Sequence, residues 1–168
     1  MAEFLPITDP VTGTSVRVNG KLVSKHCKVV LPSYNRKTVT YDAIGLELPI
    51  PGSRDVSNLQ LQHLGEDEYL AIMSAGGLLE VEVRFTQNKV DVSGKMKTVG
   101  GVCYTNGYAK GMPESNLEVT SSTDNTVEVI PVSCKKVIDG NVTMDFDIMA
   151  GVASIGGVDE RSDIESYL

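Results

Sequence analysis

Two dipeptide turns, each placed between runs of alternating apolar and polar residues, most constrain the fold of this chain. Asn19-Gly20 follows an alternating run near the start, and Asp139-Gly140 separates the strand-like segments 126–138 and 141–148. Both dipeptides favour the left-handed backbone of a type I′ turn, whose twist matches that of two paired antiparallel strands. The sequence therefore predicts a β-hairpin near each end of the chain.

The rest of the chain is also strand-like, with one exception. Further strands are predicted at 14–19, 21–31, 38–42, 59–63, 79–85 and, with mixed periodicity, 89–110. The exception is 66–75, where acidic residues suit the first turn of a helix and two glycines follow its end. We therefore predict one mainly β domain over 1–168 with one short α-helix.

Four segments fall outside this regular pattern. Pro49 and Pro51 remove two backbone donors, which predicts an extended excursion over 46–58 rather than a central strand. The polar composition of 111–125 predicts a surface loop. The remaining two segments are an N-terminal arm, 1–13, and a C-terminal tail, 149–168.

The charge balance argues against several functions. The chain has 15 basic and 22 acidic residues, a net charge of −7, so a conventional DNA-binding surface of clustered Lys and Arg is not expected. Aromatic residues make up only 5% and tryptophan is absent, which disfavours stacking platforms for single-stranded nucleic acid. We find no secretory signal and no apolar run of about 20 residues, so we expect synthesis in a cytoplasm and no membrane anchor.

Signals for catalysis or metal binding are poor. His26 and His63 lie far apart in the sequence and lack the spacing of metal ligands, and no cofactor-binding motif is present. We therefore predict a protein that is not an enzyme and has no cofactor or metal. Cys27, Cys103 and Cys134 are widely separated, which favours buried thiols. Their odd number also leaves open a disulfide between subunits.

The predicted hairpins suggest self-assembly. Long hairpins leave strand edges unpaired, which is a hazard in a monomer. Neighbouring copies can pair those edges, because a closed ring of strands has none. A structural, self-assembling subunit is therefore the function that this organisation favours.

Two clusters of residues carry a more specific resemblance. The first has the pattern L-P-x3-R-K-x3-Y-x3-G, and consists of Leu31-Pro32, Arg36-Lys37, Tyr41 and Gly45. The second consists of Asp139-Gly140, Asp147 and Gly157-Val158-Asp159. In order and spacing they resemble the major tail tube protein of P2-like contractile-tailed phages, a family that includes the tube subunits of R-type tailocins. The similarity runs from about residue 16 to 168.

The resemblance implies a tail tube fold, which is mainly β and similar to a β-sandwich or barrel with one short flanking α-helix, and it implies an assembly. Subunits of that family form homo-hexameric rings that stack into a hollow tube inside a contractile sheath in the virion. Hairpins from six copies close into an inner β-barrel, for which 36–48 and 126–148 are the expected lumen wall. The loop 46–58 and both termini are expected to bridge rings. Expected partners are the sheath, baseplate, tail terminator and tape-measure proteins, with DNA passing through the lumen without specific binding.

The resemblance also implies roles for individual residues. Residues expected to pack between subunits are Arg36, Lys37, Tyr41, Pro49, Pro51 and Asp159. Acids that would repel DNA from the lumen wall, or that are ordinary surface charges, are Glu47, Glu128, Asp145 and Asp147. Two alternatives stay open: a tube subunit of a headless tailocin or a type VI-like apparatus, and a monomeric β-barrel that binds a small ligand.

Overall fold

The computed structural model describes residues 10–111, 119, 124–162 and 166–167, with the side chains of 43 and 48–53 left aside. Most of the predicted N-terminal arm and most of the predicted surface loop 111–125 lie outside these residues. The prediction of a mainly β fold with one short helix is confirmed.

The described chain contains twelve strands and one helix. In chain order they are β1 (Val11–Val18), β2 (Lys21–Ser24), β3 (Lys28–Val30), β4 (Tyr34–Ala43), β5 (Leu46–Val56), β6 (Leu59–Leu64), α1 (Glu66–Met73), β7 (Leu78–Val90), β8 (Met96–Ala109), β9 (Asn125–Ile138), β10 (Asn141–Asp147), β11 (Val152–Ile155) and β12 (Val158–Asp159).

Ten of these strands form one antiparallel main sheet that branches at β9. The unbranched order is β12-β11-β10-β9-β8-β7-β1-β2. One edge of β9 pairs with β8, whereas the other pairs with β10 near its C-terminal end and with β6 near its N-terminal end. β6 then pairs with β3. β9 is therefore hydrogen-bonded to three different strands.

The turns at Asn19-Gly20 and Asp139-Gly140 have the predicted geometry. The φ angles of Asn19 and Gly20 are 50° and 80°, and those of Asp139 and Gly140 are 51° and 78°. Positive φ at both central residues is what a type I′ turn requires. The turns join β1 to β2 and β9 to β10.

The predicted strand at 21–31 is in fact two strands. The Ser24 hydroxyl accepts hydrogen bonds from the backbone N–H groups of His26, at 3.3 Å, and Cys27, at 3.2 Å. This turn ends β2 and redirects the chain, so β3 pairs with β6 instead of continuing along β1.

Segment 46–58 is also more regular than predicted, because 46–56 forms a strand. β5 pairs with β4 in a separate two-stranded ladder and does not enter the main sheet. We call this β4–β5 ladder the arm; it is distinct from the predicted N-terminal arm, 1–13. Pro49 and Pro51 lie opposite Thr40 and Thr38 in this ladder. A strand with a free edge accommodates proline, because a donor missing from that edge leaves no ladder bond unmade.

The core lies between the inner face of the main sheet, the β3–β6 branch and α1. On β7 the alternate residues 79, 81, 83 and 85 are buried, as expected for a sheet with one covered face. The helix contributes Tyr69 and Ile72 to the same core. Its N-terminus is fixed by Glu68, whose carboxylate accepts the Gly65 N–H at 3.2 Å, and it ends two residues before the predicted position.

Neither described sheet closes into a barrel within one chain. In the part of the chain that the structure describes, α1 is too short and too polar to cross a membrane.

Candidate assembly surfaces

The face of the main sheet opposite the core, called the outer face, carries rows of side chains that cross several strands. In the first row the directly opposed residues are Arg17, Glu82, Tyr104, Lys135, Asp145, Ser154 and Asp159. In the second row they are Glu80, Asn106, Ser133, Asp147 and Val152. The outer face is thus polar over much of its width, with charges of both signs.

Asp145 is one of the predicted lumen acids, and its charge is partly balanced. Lys135 lies directly opposite on β9, with Nζ 4.0 Å from the Asp145 carboxylate. Both groups are partly exposed, so this ion pair contributes little stability. It does reduce the field that Asp145 presents to a polyanion.

Asp147, two residues further along β10, has a structural task. Its carboxylate accepts the backbone N–H groups of Met149, at 2.9 Å, and Ala150, at 3.0 Å. These bonds organise the turn between β10 and β11. A side chain committed to its own turn is a weaker candidate for lumen repulsion than Asp145.

Glu128 lies on the outer face near the branch point. Lys110 donates to its carboxylate at 3.1 Å and Asn58 at 3.3 Å. The hydrogen bond from Lys110 is the main reason why the pKa of Glu128 lies below its usual value. Glu128 is therefore ionised but already paired with a cation.

Glu47 occupies a different place, near the tip of the arm. It lies directly opposite Asp42, and both carboxylates are exposed. Like charges directly opposite each other destabilise a ladder. The four predicted acids therefore divide between the outer face and the arm.

A third row on the outer face is apolar. Leu78, Tyr108 and Ile130 are directly opposed on β7, β8 and β9, and all three are exposed. Adjacent apolar side chains on a water-facing sheet are typical of a surface that another molecule covers.

The arm is held to the main sheet at its base by Glu160. The Arg36 guanidinium donates to both Glu160 carboxylate oxygens, at 2.6 Å and 3.2 Å, and Arg54 reaches the same carboxylate at 3.2 Å. Glu160 is only 13% exposed in its side chain. The hydrogen bond to Arg36 lowers the pKa of Glu160, so this clamp is charged at neutral pH.

Beyond its base the arm exposes apolar side chains. The exposed fractions are 64% for Val39, 59% for Tyr41, 101% for Ile44 and 75% for Leu46. Ile44 also has a positive φ of 57°, which is rare for a β-branched residue. Nothing in the described part of the same chain covers this surface.

A groove of about 890 Å³ lies between the arm base and the C-terminal strands. Tyr34 and Phe146 line it, with ring centroids 6.4 Å apart, and Arg54 lies 5.8 Å from the Tyr34 ring centre. The buried Tyr34 hydroxyl has no hydrogen-bond partner among the residues described.

The other residues predicted to pack between subunits do not form one cluster. Lys37 is 3.9 Å from Asp55 on the arm, and both are exposed. Asp159 on β12 accepts the backbone N–H of Arg161 at 2.8 Å. For Pro49 and Pro51 the structure gives only the backbone pairing described above.

Sequence patterns do not identify Glu160 and Arg54, which hold the arm at its base. Arg36 was singled out, but its partner lies 124 residues away in the sequence. Local patterns carry no information on such a distant contact. The only local signal is that Glu160 immediately follows the Gly157-Val158-Asp159 cluster.

The three cysteines are all buried inside one chain. Cys103 and Cys134 contact each other, whereas Cys27 packs beside Ser24 at the end of β2. A disulfide between subunits would therefore require local opening of the fold. Such a disulfide stays a prediction.

Comparison with models of known protein families identifies a family for this chain. A family model described as phage tail tube protein FII matches residues 10–168. No curated protein matches the chain.

Proposed function

This chain belongs to the phage tail tube protein FII family, and we propose from that premise that it builds a P2-like contractile tail by forming stacked hexameric rings. Family membership makes the chain a structural component of a phage tail tube in the virion and implies a non-enzymatic role. The hexameric ring, the stacking of rings and the contractile sheath go beyond family membership and are our proposal.

The exposed apolar arm is the observation that carries the proposal. Val39, Tyr41, Ile44 and Leu46 each expose an apolar side chain to water. A soluble monomer rarely tolerates such a surface on a protruding hairpin, because it favours aggregation. Burial against another copy removes the apolar area from water and supplies about 25 cal/mol per Å².

Open strand edges support closure into a ring. β2 and β12 end the long path of the main sheet, and β3 ends its branch. Their outer backbone groups have no ladder partner among the described strands. Pairing these edges between copies would join the sheets of successive subunits, as the predicted inner β-barrel requires.

We propose that 36–48 and 126–148 contribute to the lumen wall, with Asp145 and Glu47 as its principal acids. Asp145 faces away from the core, and Glu47 is exposed on the arm. Acids on this wall would repel the phosphates of passing DNA over the Debye length, about 8–10 Å. Glu128 and Asp147 contribute less, because Lys110 and a turn already engage them.

We assign contacts between rings to the segment 46–58, most of which forms β5 of the arm, and to the two termini. Among the described residues, Arg36, Arg54 and Glu160 hold the arm to the main sheet at its base. Tyr41, Lys37, Pro49 and Pro51 lie along it, and Asp159 lies near the base. The sheath, baseplate, tail terminator and tape-measure proteins are the proposed further partners.

Electron microscopy of the purified, concentrated chain tests this proposal. We expect hollow filaments of uniform width with sixfold end views, and sedimentation that increases with protein concentration. The proposal would be contradicted if the chain stayed a compact monomer at every concentration and also failed to add to tubes grown from pre-formed tail fragments. That result would instead favour a small-ligand binding module.

A further inference from the structure

Two buried thiols on neighbouring strands are already in contact. Cys103 on β8 and Cys134 on β9 are 0% and 1% exposed, and their Sγ atoms lie 3.4 Å apart. The Thr105 hydroxyl lies 3.7 Å from the first sulfur and 3.5 Å from the second. Nothing in the tail tube assignment requires this arrangement.

The sheet register explains the contact. Cys134 lies directly opposite Thr105, and Cys103 lies directly opposite Lys136. The two cysteines are therefore diagonal neighbours on the same face of an antiparallel pair, where side chains can reach each other. A disulfide bond of about 2.05 Å requires the two sulfurs to approach by about 1.4 Å. The two strands must also draw together locally, because diagonal neighbours usually lie further apart than disulfide-bonded cysteines.

The surroundings also favour reaction at one of the two sulfurs. A hydrogen bond from Cys134 is the main cause that lowers the pKa of Cys103, and Thr105 and Lys136 act in the same direction. Burial acts in the opposite direction at Cys103 without reversing the lowering, whereas at Cys27 burial is the main cause and raises the pKa. Thiolates, rather than thiols, react with oxidants.

We propose that Cys103 and Cys134 form a disulfide within the chain when the protein meets a peroxide outside the reducing cytoplasm. Because both thiols are buried, the peroxide reaches them when the sheet opens locally. The Cys103 thiolate attacks one peroxide oxygen, the O–O bond breaks, and sulfenic acid and hydroxide form. The Cys134 sulfur then attacks the sulfenic sulfur. The S–S bond forms, the S–O bond breaks, and the hydroxyl leaves with the Cys134 proton as water. Two thiols lose two electrons in total, and the peroxide gains them.

The bond would fasten the centre of the main sheet. Cys134 of β9 lies opposite Phe146 of β10 as well as opposite Thr105 of β8. The disulfide would therefore join β8 to β9, and β9 is also paired with β10. It closes a loop that contains the polar segment 111–125. Such a loop restricts the unfolded chain, and the melting temperature should rise.

The experiment uses the reduced, full-length chain and hydrogen peroxide, followed by catalase, denaturation, alkylation of free thiols and mass spectrometry. We expect a mass lower by two hydrogens before alkylation, one alkylated cysteine at Cys27, and a peptide pair joined through Cys103 and Cys134. The melting temperature should rise by several degrees and fall back after reduction.

Matched variants make the test specific. Cys27→Ala should keep the disulfide, whereas Cys103→Ala and Cys134→Ala should abolish it. If these two variants fold poorly, the peptide map of the unsubstituted chain decides alone. Three alkylated cysteines after treatment, a sulfinic acid at Cys103 with Cys134 free, or a bond that involves Cys27 or a second chain would each overturn the proposal.

Discussion

Gly107 lies at the register shift between β8 and β9, directly opposite Pro131. A Cβ atom at this position would overlap the main-chain carbonyl oxygen of Ile130. A backbone atom inside a paired ladder cannot move aside as the end of a side chain can. The absence of a side chain at 107 is therefore a requirement of the branch region.

We expect Gly107→Ala to lower the free energy of unfolding by about 1–3 kcal/mol, because overpacking forces the two strands apart. Gly100→Ala is the matched control in the same strand, since a Cβ there meets open space. The control should change stability by less than about 0.5 kcal/mol. Urea unfolding of both variants measures the difference, and equal losses would contradict the steric argument.

Glu160 gives a second prediction at the scale of single residues. Glu160→Gln removes the charge that holds Arg36 and Arg54, so the arm should become more susceptible to limited proteolysis at neutral pH. The folded-state pKa of Glu160 is lowered, so its stabilising effect is present above the unfolded-state pKa. The effect is lost as the pH falls through the folded-state pKa.

The difference between the unsubstituted chain and Glu160→Gln should therefore vanish in acid. Lys37→Gln is the control, because the Lys37–Asp55 pair is long and exposed. If it loosens the arm as much as Glu160→Gln does, the clamp has no special role.

At the scale of elements, the arm shows which features local sequence patterns predict and which depend on residues distant in the sequence. Its strand β4 was anticipated from β-branched residues, and the prolines indicated that 46–58 would avoid the centre of a sheet. That 46–56 would pair with β4 was not predicted, because the prolines masked the strand signal. Likewise, the break between β2 and β3 depends on the Ser24 turn, which hydropathy does not detect.

Two neighbouring residues of the arm allow a sharp test of its apolar surface. Val39→Asp and Thr40→Asp add the same charge one residue apart, on opposite faces of β4. We expect Val39→Asp to raise the concentration needed for tube assembly at least about tenfold, since assembly would bury a charge. Thr40→Asp should have a smaller effect, and neither should alter the melting temperature of the monomer. Equal effects on assembly would remove Val39 from the interface.

At the scale of the whole molecule, the sequence predicted the class of fold but not its connections. Asn19-Gly20 and Asp139-Gly140 correctly predicted two hairpins, because the preference of a dipeptide for a turn type depends on those two residues alone. The pairing of β1 with β7 and of β6 with β9 joins residues about sixty or more positions apart. Alternation along a strand says which face is buried, but not which strand lies beside it.

The charge of the assembled tube gives the last prediction. Asp145→Asn and Glu47→Gln should leave tubes intact but slow the passage of DNA, most clearly at low salt, where repulsion by the wall is least screened. Asp67→Asn on the exposed side of α1 is the control, because it lies outside the proposed lumen segments. DNA ejection timed at two ionic strengths measures the effect, and identical rates for all three variants would remove the acids from this role.

The branching of the main sheet also predicts the order in which its strands lose protection from hydrogen exchange. Amides of β9 are protected from two sides by β8, β10 and β6, whereas β12 is held by a ladder of only two residue pairs. Deuterium should therefore enter β12 and β11 first and β9 last. A subunit under strain would fray from its C-terminal rim while its centre kept its shape.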